Sequence, residues 1–210
     1  MTKSSTHAPG KSSGRSTLPD ALSNSSPQLA AIRVSTFAPR EAWRTIRADY
    51  HRHGSSITNG AFLSLCLYRF GHWGLTLRSR PARVAVSKLY GFLNLFVANI
   101  TKIWIPPRVT IGADLHIVNN EGSLSMHPDT VIGDRLGVMH NVTIGINMRL
   151  GAPVIGDDVF IGVNSTVLGA IRIGDRVRIA ANTAVTTNVP SDSIVIGSPA
   201  KIYPRLGPFQ

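Results

Sequence analysis

Residues 154–189 read VIGDDVFIGVNSTVLGAIRIGDRVRIAANTAVTTNV, and in them one apolar residue returns at every sixth position: Ile155, Ile161, Val167, Ile173, Ile179 and Val185. A second column runs four places behind, at Val159, Ser165, Ile171, Val177, Thr183 and Val189. A strict period of six fits neither the roughly 3.6-residue turn of a helix nor the alternation of a long strand; it is a repeat of parallel β-helices. Each hexapeptide then forms one short flat side of a three-sided coil, with the column residues turned inward. A β-sandwich of short strands also has frequent turn signals, but the unbroken period favours the coil. Glycine follows the column residue at Gly112, Gly133, Gly145, Gly156, Gly162 and Gly174. A chain that turns a corner every few residues needs sites tolerant of positive φ, and these glycines are expected to supply them.

Towards the N-terminus the column continues through Ile144, Val138, Ile132 and Met126, and before those through Ile117 and Ile111. Two slips break the count: Ile117 to Met126 is nine residues, three too many, and Ile144 to Ile155 is eleven, five too many. Extra residues leave a solenoid as loops while the core resumes its register, and sites are commonly placed on such loops. With three hexapeptides per coil, the stacks are Ile111, Ile132, Ile155, Ile173; then Ile117, Val138, Ile161, Ile179; then Met126, Ile144, Val167, Val185. Two positions beyond the second stack come Asn119, His140, Val163 and Ala181. They are expected to share one corner, with the first slip opening beside Asn119 and His140.

The chain of 210 residues has room for one ordinary domain and something smaller. Its single cysteine, Cys66, rules out an internal disulfide framework and reads as a small core residue rather than a reactive thiol. The formal charge of +11 invites a nucleic-acid or membrane-surface reading. Its location narrows that reading. Residues 108–210 carry eight Lys or Arg and eight Asp or Glu, whereas residues 1–107 carry fourteen basic and three acidic side chains. The repeat region is therefore no trap for polyanions, and nucleic acid is not an expected partner. The N-terminal part is suited to lie against an anionic surface.

Residues 1–34 are rich in Ser, Thr, Pro, Gly and Asn and read as a disordered tail. No apolar run there suits a secretory signal, so the expected compartment is the cytoplasm. Residues 35–107 read as an α-helical domain, 108–204 as the β-helix and 205–210 as a C-terminal tail. Helical spacing of apolar and aromatic residues runs from Ala42 to His53 and from Asn59 to Leu77, with Arg44, Arg47, Arg52 and Arg69 between them on what read as solvated basic faces. A third segment, Ala82 to Ile105, carries an apolar patch from Leu89 to Ile100, interrupted by Asn94 and Asn99. It falls short of the ~18 uninterrupted apolar residues of a spanning helix. A buried helix or subunit contact is the first reading, peripheral membrane contact the second. Pro106 and Pro107 are expected to end the helix.

These residues resemble a known family: the left-handed β-helix, hexapeptide-repeat acyltransferases, and within it the serine acetyltransferase-like branch. The resemblance rests on Arg47-Ala-Asp-Tyr50, Tyr68-Arg-Phe-Gly-His-Trp73, Val142-Thr-Ile-Gly145, Gly151-Ala-Pro-Val-Ile-Gly-Asp157 and the closing Ile196-Gly-Ser-Pro-Ala-Lys201. It implies an acetyl-CoA-dependent O-acetyltransferase, without a metal, acting on serine or a polysaccharide-precursor sugar. It also implies a homo-oligomer, a trimer or dimer of trimers. In such enzymes a histidine takes the acceptor's hydroxyl proton and the oxygen attacks the thioester directly.

The resemblance sets the family histidine on Asn119 or Asn120, within Leu115-His-Ile-Val-Asn-Asn-Glu-Gly122. An amide accepts no proton near neutral pH. His140 is the first candidate for a relocated base and His127 the second; His116 and Glu121 are further alternatives. Asn119, Asn120 and Arg149, on the two slips, are the candidates for holding the acceptor. The resemblance implies that acetyl-CoA lies along the corner of Gly162, Val163, Ala180 and Ala181, with Lys201 near a CoA phosphate. The competing function is a non-catalytic or regulatory scaffold that kept the fold after losing its base.

Overall fold

The computed structural model describes residues 39–118, 122–148, 151–205 and 207, with side chains from residue 45 onward. The tail read over residues 1–34 lies outside the described residues. Among the described residues three helices come first: α1 (Pro39–Arg52), α2 (Gly60–Leu75) and α3 (Arg80–Thr101). Asn59 caps α2, its side-chain oxygen accepting from the N–H groups of Ala61 and Phe62, which satisfies donors a helix start otherwise leaves open. α3 stops at Thr101, short of the Pro106–Pro107 pair expected to end it. Lys102 turns left-handed at φ 59° and donates to Ala98 O, and the chain goes directly into the first strand of the solenoid. The pull is a strand ladder: Ile103 and Trp104 pair with Leu124 and Ser125, and Ile103 is buried in the core.

Short strands then alternate among three parallel sheets. The first side holds β2 (Thr110–Ile111), β5 (Val131–Ile132), β8 (Val154–Ile155) and β11 (Arg172–Ile173). The second holds β3 (His116–Ile117), β6 (Gly137–Val138), β9 (Phe160–Ile161), β12 (Arg178–Ile179) and β14 (Ser193–Ile196); β15 (Lys201–Pro204) folds back antiparallel on its edge. The third holds β1 (Ile103–Trp104), β4 (Leu124–Met126), β7 (Val142–Gly145), β10 (Thr166–Leu168) and β13 (Ala184–Val185). The registers match the six-residue columns throughout: Ile111 pairs Ile132, Ile132 pairs Ile155 and Ile155 pairs Ile173. Ile117, Val138, Ile161 and Ile179 form the second stack, and Met126, Ile144, Val167 and Val185 the third. The trailing column is buried as well, including Ser165 and Thr183. Those two hydroxyls are not orphaned: Ser165 Oγ donates to Ala180 O, and Gly197 N donates to Thr183 Oγ1.

The glycines do a different job from the one expected. Positive φ falls to Asp114, Arg135, Asn141, Asp158, Asn164, Arg176, Asn182 and Asp192, while the glycines after the column residue are not left-handed. Asn and Asp tolerate that region because a short polar side chain can hydrogen-bond locally. At Gly112, Gly133 and Gly156 the constraint is close approach: a Cβ there would collide with a carboxylate oxygen of Asp134, Asp157 or Asp175 on the next coil. Those carboxylates cap backbone donors. Asp134 Oδ1 accepts from Ala113 N at 2.7 Å, Asp157 Oδ1 from Asp134 N at 2.8 Å and Asp175 Oδ1 from Asp157 N at 2.9 Å.

The helices are fastened to the first coil by the residues of the two helical motifs. Tyr68 donates from its hydroxyl to Val109 O at 2.8 Å, and the His72 Nδ1–H to Pro107 O at 2.8 Å. Arg69 is not on a solvated face. It is buried, pairing with Asp49 at 3.3 Å, each side chain only 1% exposed. His53 bridges the same junction. Its Nδ1–H donates to Asp49 O at 2.7 Å, and its Nε2 accepts from Ile117 N at 3.1 Å. Beside them, burial and then the Asp49 charge push the Cys66 thiol up to about 11, which keeps it protonated and unreactive near neutral pH.

Candidate active site

The corner between the second and third sides is built from the strand ends of β6, β9, β12 and β14. Met139 N donates to Ile161 O, Gly162 N to Ile179 O and Ala180 N to Val195 O. One residue further round, Asn164 N donates to His140 O at 3.3 Å and Asn182 N to Val163 O at 2.8 Å. His140, Val163 and Ala181 therefore stack in one file. The next position in each coil is an asparagine in the left-handed region, Asn141, Asn164 or Asn182, with φ of 56° to 57°. The carboxamides join up, Asn164 Nδ2 donating to Asn182 Oδ1 at 3.2 Å.

The first slip returns to the coil directly over His140. Gly122 has a φ of +96°, and a Cβ on it would stand 2.9 Å from the Cβ of His140. His140 itself is half-buried. Asn119 and Asn120, read as acceptor ligands on this slip, lie outside the described residues. So does Arg149 on the second slip, as does Glu121.

His127 stands elsewhere. It follows β4 at the corner between the third and first sides, so the width of one sheet separates it from the His140 file. There Thr130 N donates to its carbonyl at 3.0 Å and Asp129 N to its Nδ1 at 3.3 Å, holding the ring into a tight turn. His116 lies on β3 with its ring edge-on to His53 at 5.6 Å. Burial, then Arg52 and His53, push its imidazole below the ordinary histidine value.

Along the file the wall is narrow. A Cβ on Gly162 would come within 2.6 Å of Ala181 N and 2.8 Å of Ala180 C, so only glycine lets these two coils meet. Val163 and Ala180 are half-exposed and Ala181 is exposed, leaving an apolar strip of small side chains open to a ligand. Lys201 belongs to the same corner. It pairs with Ile196 across the closing hairpin, and β14 lies beside β12, which puts Lys201 at the C-terminal end of the file. Four strand spacings of about 4.8 Å separate the level of His140 from that of Lys201, roughly 19 Å. One corner thus carries a titratable imidazole at one end, a small-residue strip in the middle and an exposed cation at the other. Gly122 and Asn141 were not singled out from the sequence, although the recurrence of asparagine at 141, 164 and 182 is visible there.

The family model for "Bacterial transferase hexapeptide (six repeats)" matches residues 152–187. The serine acetyltransferase of Helicobacter pylori strain 26695 is 38% identical over 141 residues, covering 66% of this chain and 78% of that protein. The chain belongs to the serine acetyltransferase family. This family member is also 32% identical over 144 residues to the serine acetyltransferase of Mycobacterium tuberculosis, covering 67% of the chain but only 59% of that relative's length. The crystal structure of Neisseria gonorrhoeae serine acetyltransferase superposes with a TM-score of 0.66 at 26% identity, over 80% of this chain and 68% of that one. The fold of this family member is accordingly the left-handed β-helix, preceded by its three helices.

Proposed function

We propose that this chain transfers an acetyl group from acetyl-CoA to the hydroxyl of a small acceptor, serine foremost and a polysaccharide-precursor sugar second. The observation that carries the reading is the single corner that aligns His140, the Gly162–Val163 and Ala180–Ala181 strip and Lys201. Bound acetyl-CoA supplies an activated thioester carbonyl and a thiolate leaving group. The strip, with no bulky side chain between Val163 and Ala181, accommodates its extended arm, and Lys201 meets a phosphate. His140 accepts the acceptor's hydroxyl proton as the C–O bond forms, and returns it to the departing sulfur as the C–S bond breaks. The products are the O-acetyl ester and the free thiol. Direct transfer of this kind calls on no metal.

In this reading Asn119 or Asn120 stands in the place of the family histidine, and both, with Arg149, orient the acceptor rather than deprotonate it. The protein works in the cytoplasm as a trimer or dimer of trimers, with the open side of the corner covered by a second subunit. The second reading is a CoA-binding scaffold that performs no transfer, favoured by the asparagines at the position of the family base.

Acetyl-CoA turnover, followed by thiol release, decides between them. The assay runs over serine, homoserine and sugar acceptors, with His140→Ala in parallel and CoA binding measured by calorimetry. We expect serine-dependent thiol release that falls about 10²- to 10⁴-fold in His140→Ala, the range for loss of a general base, with CoA affinity retained. Turnover unchanged by the substitution would overturn the assignment of the base. CoA binding without turnover on any acceptor in the panel would favour the scaffold.

A further inference from the structure

Helix α3 presents two apolar faces, and among the described residues only one of them is covered. Val86 packs where Gly74 of α2 leaves room, and Tyr90 packs against Gly71. The opposite face carries Leu89, Phe92, Leu95, Phe96 and Ile100, all solvent-exposed, with Phe92 at 60% and Ile100 at 80%. Phe92 and Phe96 meet edge to face at 5.1 Å, forming one continuous aromatic patch. Trp104, just past the helix end, is 48% exposed. An apolar strip of this size on a single helix is not left open without a partner.

The charges around it identify that partner. Between Asp49 and Asp114 the chain has no acidic residue, while Arg52, Arg69, Arg78, Arg80, Arg83, Lys88, Lys102 and Arg108 are basic. Of these, Lys88 flanks the exposed face, Arg78, Arg80 and Arg83 cluster at the N-terminal end of α3 and Lys102 stands at its C-terminal end, and all five are exposed. Packing this face on the α3 of a second copy would bring cations against cations with no carboxylate between them. A surface that offers hydrocarbon beneath a layer of negative charge satisfies both halves of the pattern.

We propose that α3 is an interfacial helix that seats the protein on an anionic lipid bilayer, its phenylalanines among the acyl chains and its arginines at the headgroups. Its most apolar 18-residue window has a mean hydropathy of 1.3, enough by length and composition to cross a membrane, but crossing would strip away α2, which is locked to it through Gly71 and Gly74. Lying in the plane keeps that packing. Lys88, on the rim of the apolar face, reaches the headgroups by its long stem.

The test is flotation of the full chain with phosphatidylcholine vesicles, with and without phosphatidylglycerol, at low and high salt. Two variants run alongside: Phe92→Glu/Phe96→Glu, and Arg80→Gln/Arg83→Gln, which leaves the apolar face intact. We expect binding only with phosphatidylglycerol, weakened by salt, and abolished in the phenylalanine variant. The arginine variant should bind roughly 30-fold more weakly, at about 1 kcal/mol for each basic residue at an anionic surface. Failure to float with the anionic vesicles, or binding indifferent to both variants, overturns the proposal. So does a fall in the oligomer mass of the phenylalanine variant by analytical ultracentrifugation, which assigns the face to a second copy of the chain.

Discussion

Asn141 Oδ1 accepts the Ser123 N–H at 3.0 Å, tying the far end of the first slip to the residue next to His140. The left-handed φ of Asn141, 56°, is what aims its carboxamide at the coil above. The loop over the proposed base is thus held by a side chain whose backbone conformation glycine can also adopt. Asn141→Gly keeps the turn and removes the tie. We predict a tenfold or greater fall in kcat/KM for acetyl transfer, because small misplacements of reacting groups are costly. The loss of stability should stay near 0.5–1.5 kcal/mol, about that of one hydrogen bond. Steady-state kinetics beside urea unfolding separate the two effects.

Gly162→Ala tests the closeness of the coils at the small-residue strip. The added methyl meets the backbone of Ala180 and Ala181, which cannot rotate away as a side chain would. The coils must separate, at about 1–3 kcal/mol. A lower unfolding midpoint together with weaker CoA binding by calorimetry is the expected result.

The buried Asp49–Arg69 pair should respond asymmetrically. Asp49→Ala leaves a guanidinium enclosed at the junction of α1, α2 and the first coil, and is expected to destabilise the chain by about 3–5 kcal/mol. Asp49→Leu/Arg69→Met, which removes both charges, should recover most of that loss. Chemical denaturation of the three proteins provides the comparison, and a double variant no more stable than Asp49→Ala would refute the charge argument.

Acid sensitivity should come in two steps. Hydrogen bonds from Arg135 hold the Asp158 carboxyl below the usual carboxylate range, and those from Arg176 do the same for Asp192. Their folded values lie below the unfolded one, so their contribution is complete above pH about 3.9 and is lost as pH falls through the lower folded values. His116 acts earlier. Its folded value lies below about 6.5, so the unfolded chain binds the proton more readily and stability declines as pH drops past that point. Thermal midpoints from pH 8 to 3 should lose the upper step in His116→Gln and the lower one in Asp158→Asn/Asp192→Asn.

The regular part of the fold was legible because the hexapeptide column is a local code: each inward side chain is chosen by its own coil, and the period survives both slips. The stacks through Ile155, Ile161 and Val167 could be written from spacing alone. The end of α3 was not legible, because the choice between one more helical turn and pairing Ile103 with Leu124 is made by a strand twenty-one residues away. The role of the glycines was misread for a similar reason. Gly133 is glycine because of Asp157, and nothing near position 133 in the chain announces that carboxylate.

The sequence by itself determined the coil, the two slips and the file of His140, Val163 and Ala181, since a strict repeat converts residue number into height along the solenoid. Tertiary structure alone decided that Lys201 joins that file, because the closing hairpin reverses direction outside the repeat. It also separated His127 from His140 and buried Arg69 against Asp49. Such placements depend on which surfaces meet after the chain has turned, and contacts between elements remote in sequence leave no periodic trace.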